Sequence, residues 1–544
     1  MIKRILIFAL LFFTLPFYGQ KINTSEIRVY ESFKPSIPEP KRLNENALFL
    51  DTMQRDKKQE YKILDNQFNY SHKLPVLSPA IVKQDKIKLL RNKLVSFSLG
   101  YKSRFSSEII YNSLRSKSLS YGGIFRQKNI SLDINSRDAS FSKSQINLYA
   151  KKIKSENIIF ISLINERIKC MTYGHDLNNV KLNSSDFSNR FSYTKFSLYH
   201  TSNSLFGLTE THKSNIYFSD FNEMSENRLH VSTKVEKDIF GYPLIFDFSF
   251  DNFSNYNSLQ ITPTLPKKSV QLFSMSPSYV LEKYGYNFNL SIGIDYASDG
   301  GLDIFPIVIS EKILVENVLS ISYGIEDNKY RNTYKSLSDR NPYIHTFGLN
   351  QNIILNDTLL DLRTTELKHS FFEIKNLLTE DILWKASLSY GYVENLSFFV
   401  NNYNTDYNRF IVDYVDAWQI HMINFFEHKI NKLLSYSIKA EMFDWTTKDE
   451  ISHKPKILLN SSIYFNLRDK IIITPSIDYF GSQNVKYSDN LPARFHVNLS
   501  AKYNYTNTFS FYLTLNNITN SQKLFLTDYE EIGFNGMFGL SYSF

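Results

Sequence analysis

From Asn92 to its end the chain alternates between apolar and polar positions. The clearest stretch runs from Tyr286 to Tyr296. Tyr286, Phe288, Leu290, Ile292, Ile294 and Tyr296 interleave with Asn287, Asn289, Ser291, Gly293 and Asp295. Successive side chains of a strand point to opposite faces, so this spacing predicts a ribbon with one apolar and one polar side. Ser298-Asp299-Gly300-Gly301 then supplies turn residues. Phe246, Phe248 and Phe250 repeat the pattern, as do Phe495 to Tyr505, Phe509 to Leu515, and Phe538, Leu540, Tyr542 and Phe544. At about 20 residues per strand and turn, residues 91–544 predict about 22 antiparallel strands, within a range of about 14–26. Alternation alone fits two folds of opposite polarity. In a soluble β-sandwich the apolar face is the core, whereas in a wide transmembrane barrel it is the exterior.

The two ends of the chain decide between them. Lys3 and Arg4 precede an apolar run from Ile5 to Phe17, and Tyr18-Gly19-Gln20 opens a polar stretch. A basic start, a short apolar core and a small residue at the boundary predict a cleaved secretory signal peptide over residues 1–19. The run is too short for a membrane-spanning helix. At the other end, the alternation continues to the last residue, Phe544. This ending resembles the C-terminal signature of bacterial outer-membrane β-barrels, whose last residue is commonly Phe. Tyr at both ends of the 286–296 segment matches the aromatic girdles of such strands, and its length matches the roughly 9–11 residues of a tilted crossing. The fold class expected is all-β: a transmembrane antiparallel β-barrel, residues 91–544. Residues 20–90 differ from it. Pro35, Pro38 and Pro40 sit close together, a charged stretch runs through Lys57 and Lys58, and Pro75 and Pro79 follow. They predict an extended, irregular periplasmic or lumenal segment.

Composition agrees. There are 44 Phe and 36 Tyr among 544 residues, while mean hydropathy is slightly negative. A barrel produces that combination, because its membrane signal lies in alternation and not in long apolar runs. The single cysteine, Cys170, excludes an internal disulfide framework and reads as a small strand residue. The formal charge of +8 is spread along the chain, without the basic patch that nucleic-acid binding needs.

Candidate chemistry is sparse. The spacings of a zinc protease, a paired-cysteine site, a calcium loop or a nucleophile elbow do not occur. His421 and His428 are seven apart, which puts them on opposite faces of a strand. Gly174-His175-Asp176 reads as a loop cluster. No catalytic, cofactor-binding or metal-ligating residue and no cofactor is expected, and the chain does not read as an enzyme.

The last forty residues carry a family resemblance. Leu515-Asn516-Asn517-Ile518-Thr519-Asn520 precedes a polar hairpin and then the closing strand. This is similar to the penultimate hairpin of TonB-dependent receptor barrels, and Asn517 and Asn520 suit a turn because their side chains satisfy local backbone groups. Ser32-Phe33-Lys34-Pro35-Ser36-Ile37-Pro38 resembles the N-terminal segment of short, plugless TonB-dependent-receptor-like proteins. The resemblance implies an outer-membrane barrel that transports or binds a solute. The chain departs from the full receptors in having only residues 20–90 ahead of the barrel, too few for their globular plug. The alternative is a non-transporting barrel subunit of an outer-membrane assembly or secretion complex. Expected partners are outer-membrane lipids and a surface lipoprotein or envelope-complex component, with no nucleic acid.

Overall fold

The computed structural model describes residues 91–544, apart from 104, 115, 117, 135–136, 175–187, 203–209, 240, 256–268, 346–361, 402–408 and 487. The expectations for residues 1–19 and 20–90 lie outside the described residues. Twenty-two antiparallel strands form one sheet, each paired with its neighbours in the chain. The first strand, Lys93–Tyr101, also pairs with the last, Asn535–Ser543, from Leu94–Ser543 to Tyr101–Gly536. The sheet is therefore closed, and the count is the one the spacing predicts. The final residue takes part in the closure. Phe544 donates its N–H to the Lys93 carbonyl (3.0 Å) and accepts from the N–H of Lys93 (3.0 Å). The Lys93 ammonium lies 5.1 Å from the Phe544 ring centroid.

The two faces have the polarity of a membrane barrel. Phe97, Ile292, Phe495, Phe538 and Tyr542 point outward and are each more than 40% exposed. The inner face is polar and internally bonded. The Ser162 and Ser197 hydroxyls lie 2.6 Å apart, and Asp478 accepts from Asn460 (2.5 Å) and Asn498 (2.8 Å). The alternation of the 286–296 segment becomes the strand Tyr286–Ala297, and Phe495 to Tyr505 becomes Arg494–Asn504. The end of the barrel at which the first strand starts and the last strand finishes carries tight turns, among them Tyr284-Gly285 (φ 56° and 73°), Glu380-Asp381 and Arg468–Lys470. The opposite end carries the long connections 332–363, 447–456, 481–493 and 517–534. Short turns mark the periplasmic rim of such barrels and long loops the extracellular rim, which sets the orientation.

The wall departs from regularity in one hairpin. The strand Gly301–Val315 pairs with Tyr286–Ala297 from Gly301 to Lys312, but its ladder to the next strand, Leu319–Arg331, begins only at Val308–Ile325. Tyr323 and Ile325 face outward, so alternation aims Asp327, Lys329 and Arg331 outward too. These charges are nevertheless covered, with the Asp327 side chain only 3% exposed. The cover is the inner face of the neighbouring hairpin. Lys329 reaches Asp295 (2.9 Å) and Asp303 (2.6 Å), Arg331 reaches Asp299 (2.5 Å), and Lys368 reaches Asp303 (3.3 Å). The hairpin tip thus overlaps the outside of its neighbours like a shingle, and ion pairs replace the missing ladder bonds.

Closure depends on close approach of the first and last strands. A Cβ on Gly100 would sit 2.0 Å from the Gly536 carbonyl oxygen, a backbone atom with no room to give. Gly100→Val is expected to abolish the compact, fast-migrating band of the unheated protein on SDS gels, while the same substitution at Gly241, which has nothing within 4 Å, leaves a clear folded band despite its positive φ.

Candidate functional site: the loop-closed mouth

The longest hairpin leaves the wall. Its strands, Ile382–Asn401 and Phe410–Lys429, hold a regular register up to Val393–Ala417, where a bulge intervenes and Asn395 takes a positive φ of 51°. Beyond it, all six residues from Leu396 to Asn401 are buried. One face, with Phe399 and Phe410, packs into the main apolar core. The other, with Phe398, Val400 and Val415, packs with Ile451 of the loop 447–456. Both faces thus pack against loop residues, among them Leu337, Ile344 and Tyr529 on one side and Ile451 on the other, which places this tip among the loops across the mouth. Its sequence, Leu396-Ser397-Phe398-Phe399-Val400, is a near-continuous apolar run, the mark of a strand buried on both sides.

The loop after the strand Leu319–Arg331 meets it there. It opens with helix α1, Tyr334–Arg340, started by a capping box: Thr333 Oγ1 accepts from the Ser336 N–H (3.1 Å), and Ser336 Oγ accepts from the Thr333 N–H (2.9 Å). Tyr334 and Leu337 put the apolar side of α1 into the core. The polar anchors come from far around the barrel. Lys335 pairs with Glu166 (2.9 Å), Glu226 Oε2 accepts from the Tyr334 N–H (2.8 Å), and the Asn189 amide donates to the carbonyls of Pro342 (2.8 Å) and Ile344 (2.9 Å). The Cys170 thiol also donates to the Pro342 carbonyl (3.3 Å). The loop then bonds the tip of the long hairpin: Phe410 donates to Tyr343 (3.0 Å) and His345 to Phe410 (2.8 Å).

The last loop completes the closure. Asn517 and Asn520 both take positive φ, and their side chains bond the local backbone, Asn517 Nδ2 to Ser521 (2.7 Å) and Asn520 Oδ1 from the Phe534 N–H (2.8 Å). The hairpin they launch, Leu524–Leu526 and Tyr529–Glu530, is not simply polar. Tyr529 is fully buried and stacks on Tyr343 (4.2 Å) and against Tyr173 (4.9 Å). His453 joins three segments, through Nδ1 to the Phe399 carbonyl (2.9 Å) and Nε2 to the Thr527 hydroxyl (2.9 Å). Burial holds its pKa below the ordinary 6.5, so a neutral ring donates from Nδ1 and accepts at Nε2. Burial, with Arg409, pushes His345 down to about 4. Burial, with Arg340, pushes the Lys454 ammonium down to about 7.

The mouth is thus closed by a packed apolar core drawn from loops and inner wall. The cavity beside the start of α1, lined in part by Glu226, Phe253, Asn332 and Tyr334, holds about 50 Å³, room for a few waters and not for a solute. Sequence reading did not find these residues, because Glu166, Asn189, Glu226 and Lys335 look like ordinary polar strand and loop positions. His421 and His428 do lie on opposite faces: His421 stacks on Phe443 (4.2 Å) with Glu441 at 3.7 Å, and His428 meets Tyr436 edge-on. His175 and Asp176 lie outside the described residues. Asp295, Asp303 and Asp327 come close enough to share an ion, but the Lys329 ammonium already sits among them.

Known proteins place this architecture. No protein-family model matches the chain, and no curated protein matches its sequence. Solved structures do match. The ferric enterobactin receptor PfeA of Pseudomonas aeruginosa, in a mutant form, superposes with a TM-score of 0.61 at 13% identity, over 84% of this chain and 80% of that one. The ferric-catecholate import receptor Fiu of E. coli K12 gives 0.59 at 11%, over 83% and 82%. The copper transporter OprC gives 0.62 at 10%, over 85% and 84%. The fold is that of the outer-membrane receptor barrel, TonB-dependent-receptor-like as the C-terminal residues suggested. These similar proteins are transport receptors.

Two outcomes check the closure. Asn189→Ala leaves two buried carbonyls each short of a bond, at about 1 kcal/mol apiece. Amides of the His345–Phe410 contact are expected to exchange with solvent roughly thirtyfold faster by mass spectrometry. Lys454 has a folded pKa of about 7 against an ordinary 10.5. Between those values the unfolded loop binds more protons than the closed one, so closure strengthens as pH rises from about 7 and bears the full penalty below it. In conductance records the open fraction should fall over that rise, and Lys454→Met should flatten the dependence.

Proposed function

We propose that the chain is an outer-membrane solute receptor or transporter, and that its own extracellular loops gate it. The observation that carries this is the closed mouth over a wall too wide for its strand side chains to fill. A 22-stranded barrel encloses a lumen that must be obstructed or must conduct. In this reading the signal peptide, residues 1–19, directs export and is removed. Residues 20–90 stay on the periplasmic side or enter the lumen, too short to form a full plug domain. The loop core then does the closing that a plug does elsewhere, and it presents the surface that a solute or a surface lipoprotein meets first. The ligands named for PfeA, Fiu and OprC identify no solute for this chain, since likeness at 10–13% identity extends to the fold alone.

Planar-bilayer recording tests the proposal. The full-length protein should be closed for most of the record. A variant in which residues 334–344 are replaced by a short Gly-Ser linker should show large, stepwise conductance. If both proteins insulate the bilayer while remaining folded, solute passage is wrong. The barrel is then better read as a non-transporting subunit of an outer-membrane assembly or secretion complex, to be sought by detergent pull-down.

A further inference from the structure

One sector of the outer wall carries cations that nothing in the protein neutralises. It lies on the adjacent strands Asn157–Met171 and Ser188–Ser202, which end and begin at the long-loop rim. Ile161, Leu163, Phe196 and Leu198 are exposed on their outer face and mark the lipid-facing belt. Directly opposite pairs on that face climb from Ile161–Leu198 and Leu163–Phe196, through Asn165–Thr194, to Arg167–Ser192 and Lys169–Arg190. In the next pair up, Met171 and Ser188 are both buried. The face thus passes from apolar to neutral polar to cationic just below a covered rim.

Arg167, Lys169 and Arg190 are all exposed. Strand register holds them together. Residues directly opposite in an antiparallel pair have Cβ atoms about 5 Å apart, and same-face neighbours along one strand lie about 7 Å apart. All three long side chains therefore reach a common point. On the other side, Arg167 and Lys169 stand opposite Ser144 and Ser142, which carry no charge. Among the described residues, none of the three cations has a carboxylate within ion-pair distance. The outward charges at the shingled hairpin are matched by contrast, with Lys329 and Lys368 both reaching Asp303 (2.6 and 3.3 Å). Like charges directly opposite each other destabilise a sheet, and Lys169 stands opposite Arg190. An anion lying across them removes that repulsion.

We propose that Arg167, Lys169 and Arg190 bind the phosphoryl headgroup of an outer-leaflet lipid, whose acyl chains pack on the apolar belt beneath. Guanidinium groups hold phosphoryl oxygens bidentately, and Lys169 adds a point charge. The height of the site selects a lipid over a free anion. Basic side chains at the headgroup level attract anionic lipids, and the chains of a lipid held there meet Ile161, Leu163, Phe196 and Leu198. The inner face of the same strand pair carries Cys170 and Asn189, which hold the Pro342 carbonyl of the closing loop. The lipid therefore braces the strands that anchor the closure. The proposal rests on the orientation of the barrel and not on transport, so its failure and that of the conductance experiment are distinguishable.

Native mass spectrometry of the full-length protein, released from a non-ionic detergent, tests it with three probes. Dioleoyl phosphatidic acid carries a phosphoryl group and chains, dioleoylglycerol the chains alone, and inorganic phosphate the charge alone. Phosphatidic acid should bind roughly tenfold or more tightly than dioleoylglycerol, the difference made by charge-assisted contacts. An equal concentration of inorganic phosphate should not displace it. The triple variant Arg167→Gln, Lys169→Gln, Arg190→Gln should lose that preference while keeping the folded band on unheated gels, since all three side chains are exposed on the outer face. Lys169→Gln alone should weaken binding, and it decides the matter if the triple variant does not fold. The proposal is overturned if phosphatidic acid binds no better than dioleoylglycerol, if inorganic phosphate displaces it, or if the folded variants bind it as tightly as wild type.

Discussion

Every other feature of this molecule depends on the pairing of its first and last strands. Water is absent from the bilayer interior, so a backbone N–H or C=O without a partner there costs several kcal/mol. A sheet of twenty-two strands has two edges, and only pairing Lys93–Tyr101 with Asn535–Ser543 removes them. The bonds of Phe544 to Lys93 carry the closure to the last residue. Once the sheet closes, the polarity of each position follows. Outward side chains meet lipid and are aromatic or aliphatic, while inward ones meet a wet lumen and pair with each other. The exception supports the rule. Where the ladder between Gly301–Val315 and Leu319–Arg331 stops short, the outward charges at Asp327, Lys329 and Arg331 are roofed by the acidic inner face of the adjacent hairpin.

A closed wall of this circumference creates the second constraint, a wide mouth. Its obstruction uses the chemistry of a soluble core. Phe399, Phe410, Leu337 and Tyr529 are buried as they would be in a globular domain, although the barrel below them is inside out. Burial there is driven by exclusion from water, a force that the lipid-facing surface lacks. The wall is held by backbone bonds in lipid and is hard to disrupt. The closure is held by loop packing, a few neutral hydrogen bonds and ion pairs such as Lys335 with Glu166. That difference in strength is what a gate requires, since elements that move are drawn from the less stable part of a structure.

The wall was legible in the sequence because a strand's polarity is local. Tyr286 to Tyr296 announces its two faces in eleven residues, and the turn behaviour of Asn517 and Asn520 follows from the Asn side chain alone. The mouth was not legible, because its contacts are distant. Lys335 meets Glu166, Tyr529 meets Tyr173, and Asn189 meets Pro342, and nothing in the residues near any of these names its partner. One signal was available. The run Leu396 to Val400 breaks the alternation of its own strand, and a strand that stops alternating has stopped facing lipid on one side. The polar look of residues 521–530 misled in the opposite sense, since it conceals the buried Tyr529.

Cysteine accessibility on intact cells tests the account most directly, since it reads orientation and closure together. Asp489→Cys lies in the exposed part of the loop 481–493, and Leu337→Cys lies on the buried side of α1, 1% exposed. A membrane-impermeant maleimide should label position 489 rapidly and leave position 337 largely unreacted, with Cys170 silent in both. Rapid labelling at 337 would show that the loops do not form a packed closure, and no labelling at 489 would show that the long-loop end does not face outward.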